Sequence, residues 1–185
     1  MSSIWIMGLS SAGKSTLATL LVERLRNSGY PCMLLDGDQI REIFPERLGY
    51  DAASRRKQTE RVLRLVKWAS EQGILPVVAI IHPFEDDRLR CRRELPGYFE
   101  TYLKCDLDTC IERDEKIQKH VYPWNEQERG EKQNIVGLDI DYDEPGHSDL
   151  VLDSAHLSPS QMLDELWGRV QEDLLPGYKL RVVNG

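Results

Sequence analysis

At 185 residues, with 24 Lys and Arg against 31 Asp and Glu for a formal charge of −7, the chain has the size of one domain, read as spanning residues 1–185. That acidity argues against a nucleic-acid polymer or an anionic membrane as partner. No apolar run nears the roughly 20 residues that cross a bilayer, and the first one ends in a glycine loop after four residues, so no leader is expected. Cys32, Cys91, Cys105 and Cys110 show no C-x-x-C pair and the histidines are scattered, which points to a reduced, cytoplasmic protein without a metal cluster.

Ile4 to Met7 is an apolar run of strand length. It enters Gly8-Leu9-Ser10-Ser11-Ala12-Gly13-Lys14-Ser15-Thr16, which fits the phosphate-binding pattern G-x-x-x-x-G-K-[ST]. A helix follows to about Asn27, with Gly29 and Pro31 behind it as stop signals. Strand, glycine loop and helix aim backbone N–H groups at a polyphosphate. Lys14 is placed to reach the β- and γ-phosphates of ATP, and the Ser15 hydroxyl to sit on Mg²⁺.

Cys32 to Leu35 reads as a second strand, ending on Asp36-Gly37-Asp38. Carboxylates at the carboxyl end of a parallel strand stand where such sheets bind ligands. A short helix is expected from Gln39 to Phe44 and a long one from Asp51 to Gln72, whose charged face holds Arg55, Lys57, Arg61 and Arg64. Leu75 to Ile81 is the most apolar run and reads as a central strand, followed by His82-Pro83 and a polar helix over 85–94. A strand over 99–105 leads to a helix for which Asp108 is the expected N-cap. Periodicity fails from Ile117 to Gly146, and a lid around residues 114–137 is expected. A short strand over 149–152 and a helix starting at Ser158-Pro159 complete the chain. The alternation predicts a three-layer α/β/α fold of the P-loop NTPase type, with about five mostly parallel strands.

Phosphoryl transfer needs held phosphates, a metal, a group on the acceptor hydroxyl and cations for the transferring group. Asp36 and Asp38 are the candidates for base and metal contact, and Arg41 lies one helical turn beyond Asp38. Lys116, Lys119 and Arg129 are candidate lid cations. A GTPase switch is disfavoured because no N-K-x-D sequence is present, and Asp143 to Gly146 fits D-x-x-G too late in the chain. A small kinase fits best, and a nucleotide-binding module without turnover is the competing class.

The glycine loop, Leu35-Asp36-Gly37-Asp38-Gln39-Ile40-Arg41, Leu48-Gly49-Tyr50, Arg113-Asp114 and the run from Asp139 to Pro145 together resemble adenylylsulfate kinases, in that family's order along nearly the whole chain. The resemblance implies a homodimeric enzyme that phosphorylates the ribose 3′-hydroxyl of adenosine 5′-phosphosulfate with MgATP. It implies ATP contacts from Gly8, Ser10, Ser11, Ala12, Gly13, Lys14, Ser15, Thr16 and Arg113. It makes Asp36 and Lys14 catalytic, with Ser15 and Asp36 toward the metal. Acceptor contacts are implied for Asp38, Arg41, Tyr50 and Arg55, and for the places held by Gln58, His82 and Ile135.

The departures fall on the acceptor side. Gln58 replaces the family's Asn, Glu60 an Arg, and His82-Pro83 a Ser-Pro; the lid run is longer, and Ile135-Val136-Gly137 replaces F-T-G. Loss of that aromatic platform implies a stacking deficit of roughly 1–3 kcal/mol, which Trp124 in the lid is placed to make good. Two acceptors therefore fit the sequence: adenylylsulfate, or another nucleotide-linked group such as cytidine diphosphoramidate.

Overall fold

The computed structural model describes residues 2–119, 121–123, 129–130 and 133–177. Five parallel strands form one sheet: β1 (Ser2–Met7), β2 (Cys32–Asp36), β3 (Leu75–Ile80), β4 (Gly97–Lys104) and β5 (Leu150–Asp153), in the order β2-β3-β1-β4-β5. The helices are α1 (Lys14–Asn27), α2 (Gly37–Ile43), α3 (Ala52–Glu71), α4 (Glu85–Glu94), α5 (Leu107–Ile117) and α6 (Pro159–Asp173). This is the expected α/β/α architecture.

Alternation along the strands divides the core. Ile4 and Ile6 of β1, with Leu75, Val77 and Ala79 of β3, pack with α1, α5 and α6 on one face. Trp5, Val78 and Ile80 pack with α2, α3 and α4 on the other. Every residue of β3 is buried, as a central strand covered on both faces requires. Trp167 is buried on α6 under the Arg24 guanidinium. The helices after β1 and β3 leave on opposite faces, so a crevice opens between those neighbouring strands at the carboxyl edge of the sheet.

The helix starts follow local chemistry. Asp51 caps α3 through Ser54 N–H, and Ser158 with Gln161 forms a capping box on α6. One expectation is corrected: α5 is capped by Asp106, whose carboxylate accepts from Thr109 N–H at 2.7 Å, while Asp108 lies inside the first turn. Both are acidic and two residues apart; Thr109, which also donates its hydroxyl to Asp106 at 2.8 Å, decides between them.

Candidate active site

The glycine loop joins β1 to α1 at the crevice. Gly8 has φ +145, and a Cβ there would stand 2.6 Å from the Leu103 carbonyl, so only glycine lets the loop cross β4 this closely. Ser11 takes a left-handed φ of 61, and Gly13 follows at φ 98 as N-cap of α1 without a side-chain cap. The first-turn N–H groups thus have no side chain competing for them, and no acidic residue sits in that turn. Ala12 is buried behind the loop, and Thr16 is exposed in the first turn.

Lys14 folds back over the loop and donates to the Leu9 carbonyl at 2.6 Å. Burial, then the charge of neighbouring Lys119, lowers its pKa to about 8. Ser15 donates its hydroxyl to Asp36 Oδ2 at 2.6 Å, while Asp36 Oδ1 accepts from Asp38 N–H at 3.0 Å and caps α2. Two oxygen donors therefore meet at the mouth of the loop. Mg²⁺ takes oxygen ligands and leaves much of its shell to water and phosphate, so Ser15 and Asp36 are a fitting pair for it.

Beside this pair lies a cavity of about 580 Å³. It is lined by Ser10, Lys14, Ser15 and Asp36 on the loop side. Asp38, Arg41, Tyr50, Arg55, Gln58, His82 and Ile135 line the remainder, together with Thr59, Pro83, Lys119, Val121 and Asn134. The seven residues named in sequence as acceptor contacts are therefore gathered around one cavity. Arg41 donates to the Leu48 and Gly49 carbonyls at 3.1 and 2.9 Å, and its guanidinium lies 4.7 Å over the Tyr50 ring. Arg55 bridges two walls, donating to the Tyr50 and Asn134 carbonyls at 2.7 and 2.9 Å. Burial, then the charge of Arg41, lowers the Arg55 pKa to about 10.

Gln58 is buried and donates to the Gly37 carbonyl at 3.1 Å, which ties α3 to the Asp36–Asp38 turn. Its Oε1 accepts no hydrogen bond from the described residues. His82 lies just beyond the end of β3. It is 2% exposed, has a left-handed φ of 53 and stacks on Trp5 at 5.2 Å, and neither ring nitrogen has a partner among the described residues. Burial, then the Arg88 charge, drives its pKa down to about 3, so the imidazole is neutral. Arg88 and Asp143 fix the turn around it: Arg88 donates to the His82 and Asp143 carbonyls, and Asp143 accepts from Glu85 N–H. Asp143 thus serves the frame of the site.

Other candidates lie elsewhere. Arg113 is outside the cavity, donating to the Ser154 carbonyl at 2.5 Å and contacting Cys105 Sγ at 3.6 Å beyond the ends of β4 and β5. Glu60 faces the surface, paired with Arg64 and Arg90 at 3.0 and 2.6 Å. Lys116 pairs with Glu112 and Arg129 with Asp139, so of the three lid cations Lys119, 3.8 Å from Asp38, is the one at the cavity. Trp124 falls outside the described residues. Sequence reading passed over Tyr122 and Asn134: both sit in a stretch without periodicity, and their importance comes from backbone contacts that no spacing announces.

A family model described as adenylylsulphate kinase matches residues 1–153. The adenylyl-sulfate kinase of Bacillus pumilus is 35% identical over 171 residues, covering 91% of this chain and 84% of that protein. A probable adenylyl-sulfate kinase of Bacillus subtilis is 37% identical over 155 residues, covering 83% and 76%. The structure of the Mycobacterium tuberculosis APS kinase CysC, in complex with AMPPNP and APS, superposes with a TM-score of 0.81 at 26% identity, covering 92% of this chain and 97% of that one. The phosphate loop, the carboxylate beside it and these likenesses agree: the chain belongs to the adenylylsulfate kinase family of phosphotransferases with an alcohol acceptor.

Proposed function

We propose that the protein transfers the γ-phosphoryl group of ATP to the ribose 3′-hydroxyl of adenosine 5′-phosphosulfate. One observation carries the proposal: Lys14, Ser15 and Asp36 share a cavity with the paired guanidinium groups of Arg41 and Arg55. Both are half-buried against the Tyr50 ring, and partial burial, then the Arg41 charge, lowers the Arg55 pKa. An anion between them offsets this lowering, as the phosphosulfate group of the acceptor would. Membership of the family and its named relatives favour adenylylsulfate over cytidine diphosphoramidate as that acceptor.

The loop N–H groups and Lys14 hold the phosphates, with Lys14 leaving the Leu9 carbonyl to do so. Asp36 retains lone pairs beyond its bonds to Ser15 and Asp38, so it can accept a hydrogen bond from the acceptor hydroxyl and take its proton. The acceptor oxygen bonds to the γ-phosphorus as the bond from that phosphorus to the β,γ-bridging oxygen breaks, and ADP leaves with the electron pair. Bound at Ser15 and Asp36, Mg²⁺ would neutralise charge on the phosphate oxygens. Tyr50 and Ile135 offer apolar surface to the acceptor base. Arg113, outside the cavity, is assigned by family likeness to the adenine of ATP.

A homodimer in the cytoplasm belongs to the same proposal. Its support is the family likeness and, for the compartment, four free cysteines. Among the described residues no helix is long and apolar enough to cross a membrane.

The test is ADP release with adenylylsulfate and, side by side, cytidine diphosphoramidate. ADP formation that depends on adenylylsulfate and is lost in Lys14→Ala and Asp36→Ala is the expected result. ADP release with the cytidine compound alone would move the protein to another acceptor, and ATP binding without ADP release on a broad nucleotide panel would make it a sensor.

A further inference from the structure

Asp114 lies in the last turn of α5 and is completely buried. A carboxylate at a helix C-terminus opposes the helix dipole, so the helix itself gives no reason for it. Its donors come from elsewhere: Val121 N–H at 3.0 Å, Tyr122 N–H at 3.1 Å and the Ser11 hydroxyl at 3.3 Å. Tyr122, also completely buried, donates its phenol to the Ser10 carbonyl at 3.3 Å. Two consecutive residues of the phosphate loop are thus gripped, Ser11 from the last turn of α5 and Ser10 from Tyr122 just beyond it. One of them, Ser11, holds the left-handed φ of 61 that a residue with a Cβ adopts only at a cost.

We propose that Asp114 and Tyr122 are positioning residues of the phosphate loop, holding Ser10 and Ser11 in the shape that presents the loop N–H groups to nucleotide phosphates. Neither touches the nucleotide. The carboxylate, as an acceptor-only group, suits three converging donors. Asparagine at 114 would keep one oxygen for the two backbone donors and turn its NH₂ toward Ser11, so the charge-assisted bond from the Ser11 hydroxyl is lost and at best replaced by a weaker one of reversed direction. The proposal rests on the reading of the loop as an ATP site, but not on the identity of the acceptor.

Binding of the non-hydrolysable ATP analogue AMPPNP with Mg²⁺, followed by calorimetry without acceptor, separates the two questions. The wild type binding AMPPNP while releasing no ADP with adenylylsulfate would overturn the acceptor assignment and leave this proposal intact. For Asp114→Asn a dissociation constant raised about tenfold is expected, and for Tyr122→Phe about threefold. A merely structural role would not respond to glycine at position 11, which adopts a left-handed φ freely. Ser11→Gly placed in the Asp114→Asn background should therefore recover at least threefold of the lost affinity. Wild-type affinity in folded Asp114→Asn, or no recovery in the double variant, would overturn the proposal. If Asp114→Asn does not fold, Tyr122→Phe decides, and unchanged affinity there would overturn it equally.

Discussion

Ser15 donates its hydroxyl to Asp36 Oδ2 across 2.6 Å, joining the first turn of α1 to the end of β2. The bond links the phosphate loop to the acceptor cavity, since Asp36 also caps α2, from which Asp38 and Arg41 extend. Ser15→Ala should raise the Mg²⁺ concentration needed for half-maximal turnover several-fold while leaving the fold intact. Asp36→Asn keeps a capping side chain and should lower kcat by roughly 10²–10³, within the range expected of a lost general base. Asp36→Ala should in addition lose about 1 kcal/mol of helix capping, visible as a reduced melting midpoint. Equal turnover of wild type and Asp36→Asn would remove Asp36 from the chemistry.

Lys14 sets a pH dependence of nucleotide binding. Its pKa of about 8 rises when a bound phosphate favours the charged form, so above pH 8 nucleotide binding takes up a proton. The dissociation constant for MgATP should be flat below pH 7 and rise above pH 8, by up to tenfold per unit. The unfolded chain, where Lys14 keeps its ordinary value of 10.5, binds the proton more tightly than the empty folded protein does. Stability without nucleotide should therefore rise with pH between about 8 and 10.5, because the unfolded state holds more protons there. Calorimetry and melting curves on Lys14→Met should lose both slopes.

His82 carries a cost of the same sign at lower pH, that of an imidazole held neutral where it would be charged in water. Its pKa falls from 6.5 to about 3 on folding, so the unfolded chain binds more protons across that interval. Stability from this group is complete above pH 6.5 and is lost as pH falls toward 3, at about 1.4 kcal/mol per unit. His82→Phe keeps the stack on Trp5 and removes two unpartnered nitrogens. It should melt higher at pH 7, by about 1–3 kcal/mol, with a flatter acid limb. Its acceptor KM should rise, since the cavity loses a polar lining group. A variant less stable than wild type at pH 5 would contradict the assignment of a neutral, unpartnered imidazole.

Gly8 and Gly13 separate steric from conformational need. Gly8→Ala meets the Leu103 carbonyl at 2.6 Å and should cost about 3 kcal/mol or more. Gly13→Ala has nothing within 4 Å of its Cβ, so only the φ of 98 is strained, at about 1–2 kcal/mol. Thermal melts of the two variants should rank in that order.

The sheet and its loop were legible because their signals are local. Apolar runs, the glycine pattern and Asp36-Gly37-Asp38 each declare themselves within a few residues. The motif order also brought Arg41, Arg55, Gln58 and His82 into consideration, and all of them line the cavity. Other features were hidden in backbone geometry. No spacing tells that Arg55 spends donors on the Tyr50 and Asn134 carbonyls, or that Tyr122 reaches the Ser10 carbonyl across 112 positions. Glu60 looked like an acceptor-side change, but its direction depends on how α3 rolls against the sheet, and it faces Arg64 and Arg90 at the surface.

The proposed reaction places one phosphoryl group on one hydroxyl of one acceptor, and nuclear magnetic resonance of the product reads which hydroxyl that is. With ATP, Mg²⁺ and adenylylsulfate, a new phosphorus signal coupled to the ribose H3′ proton is predicted, formed one for one with ADP and missing with Asp36→Asn over the same time. A phosphorus coupled to another position, or no phosphorylated adenylylsulfate from protein that binds MgATP, would contradict it.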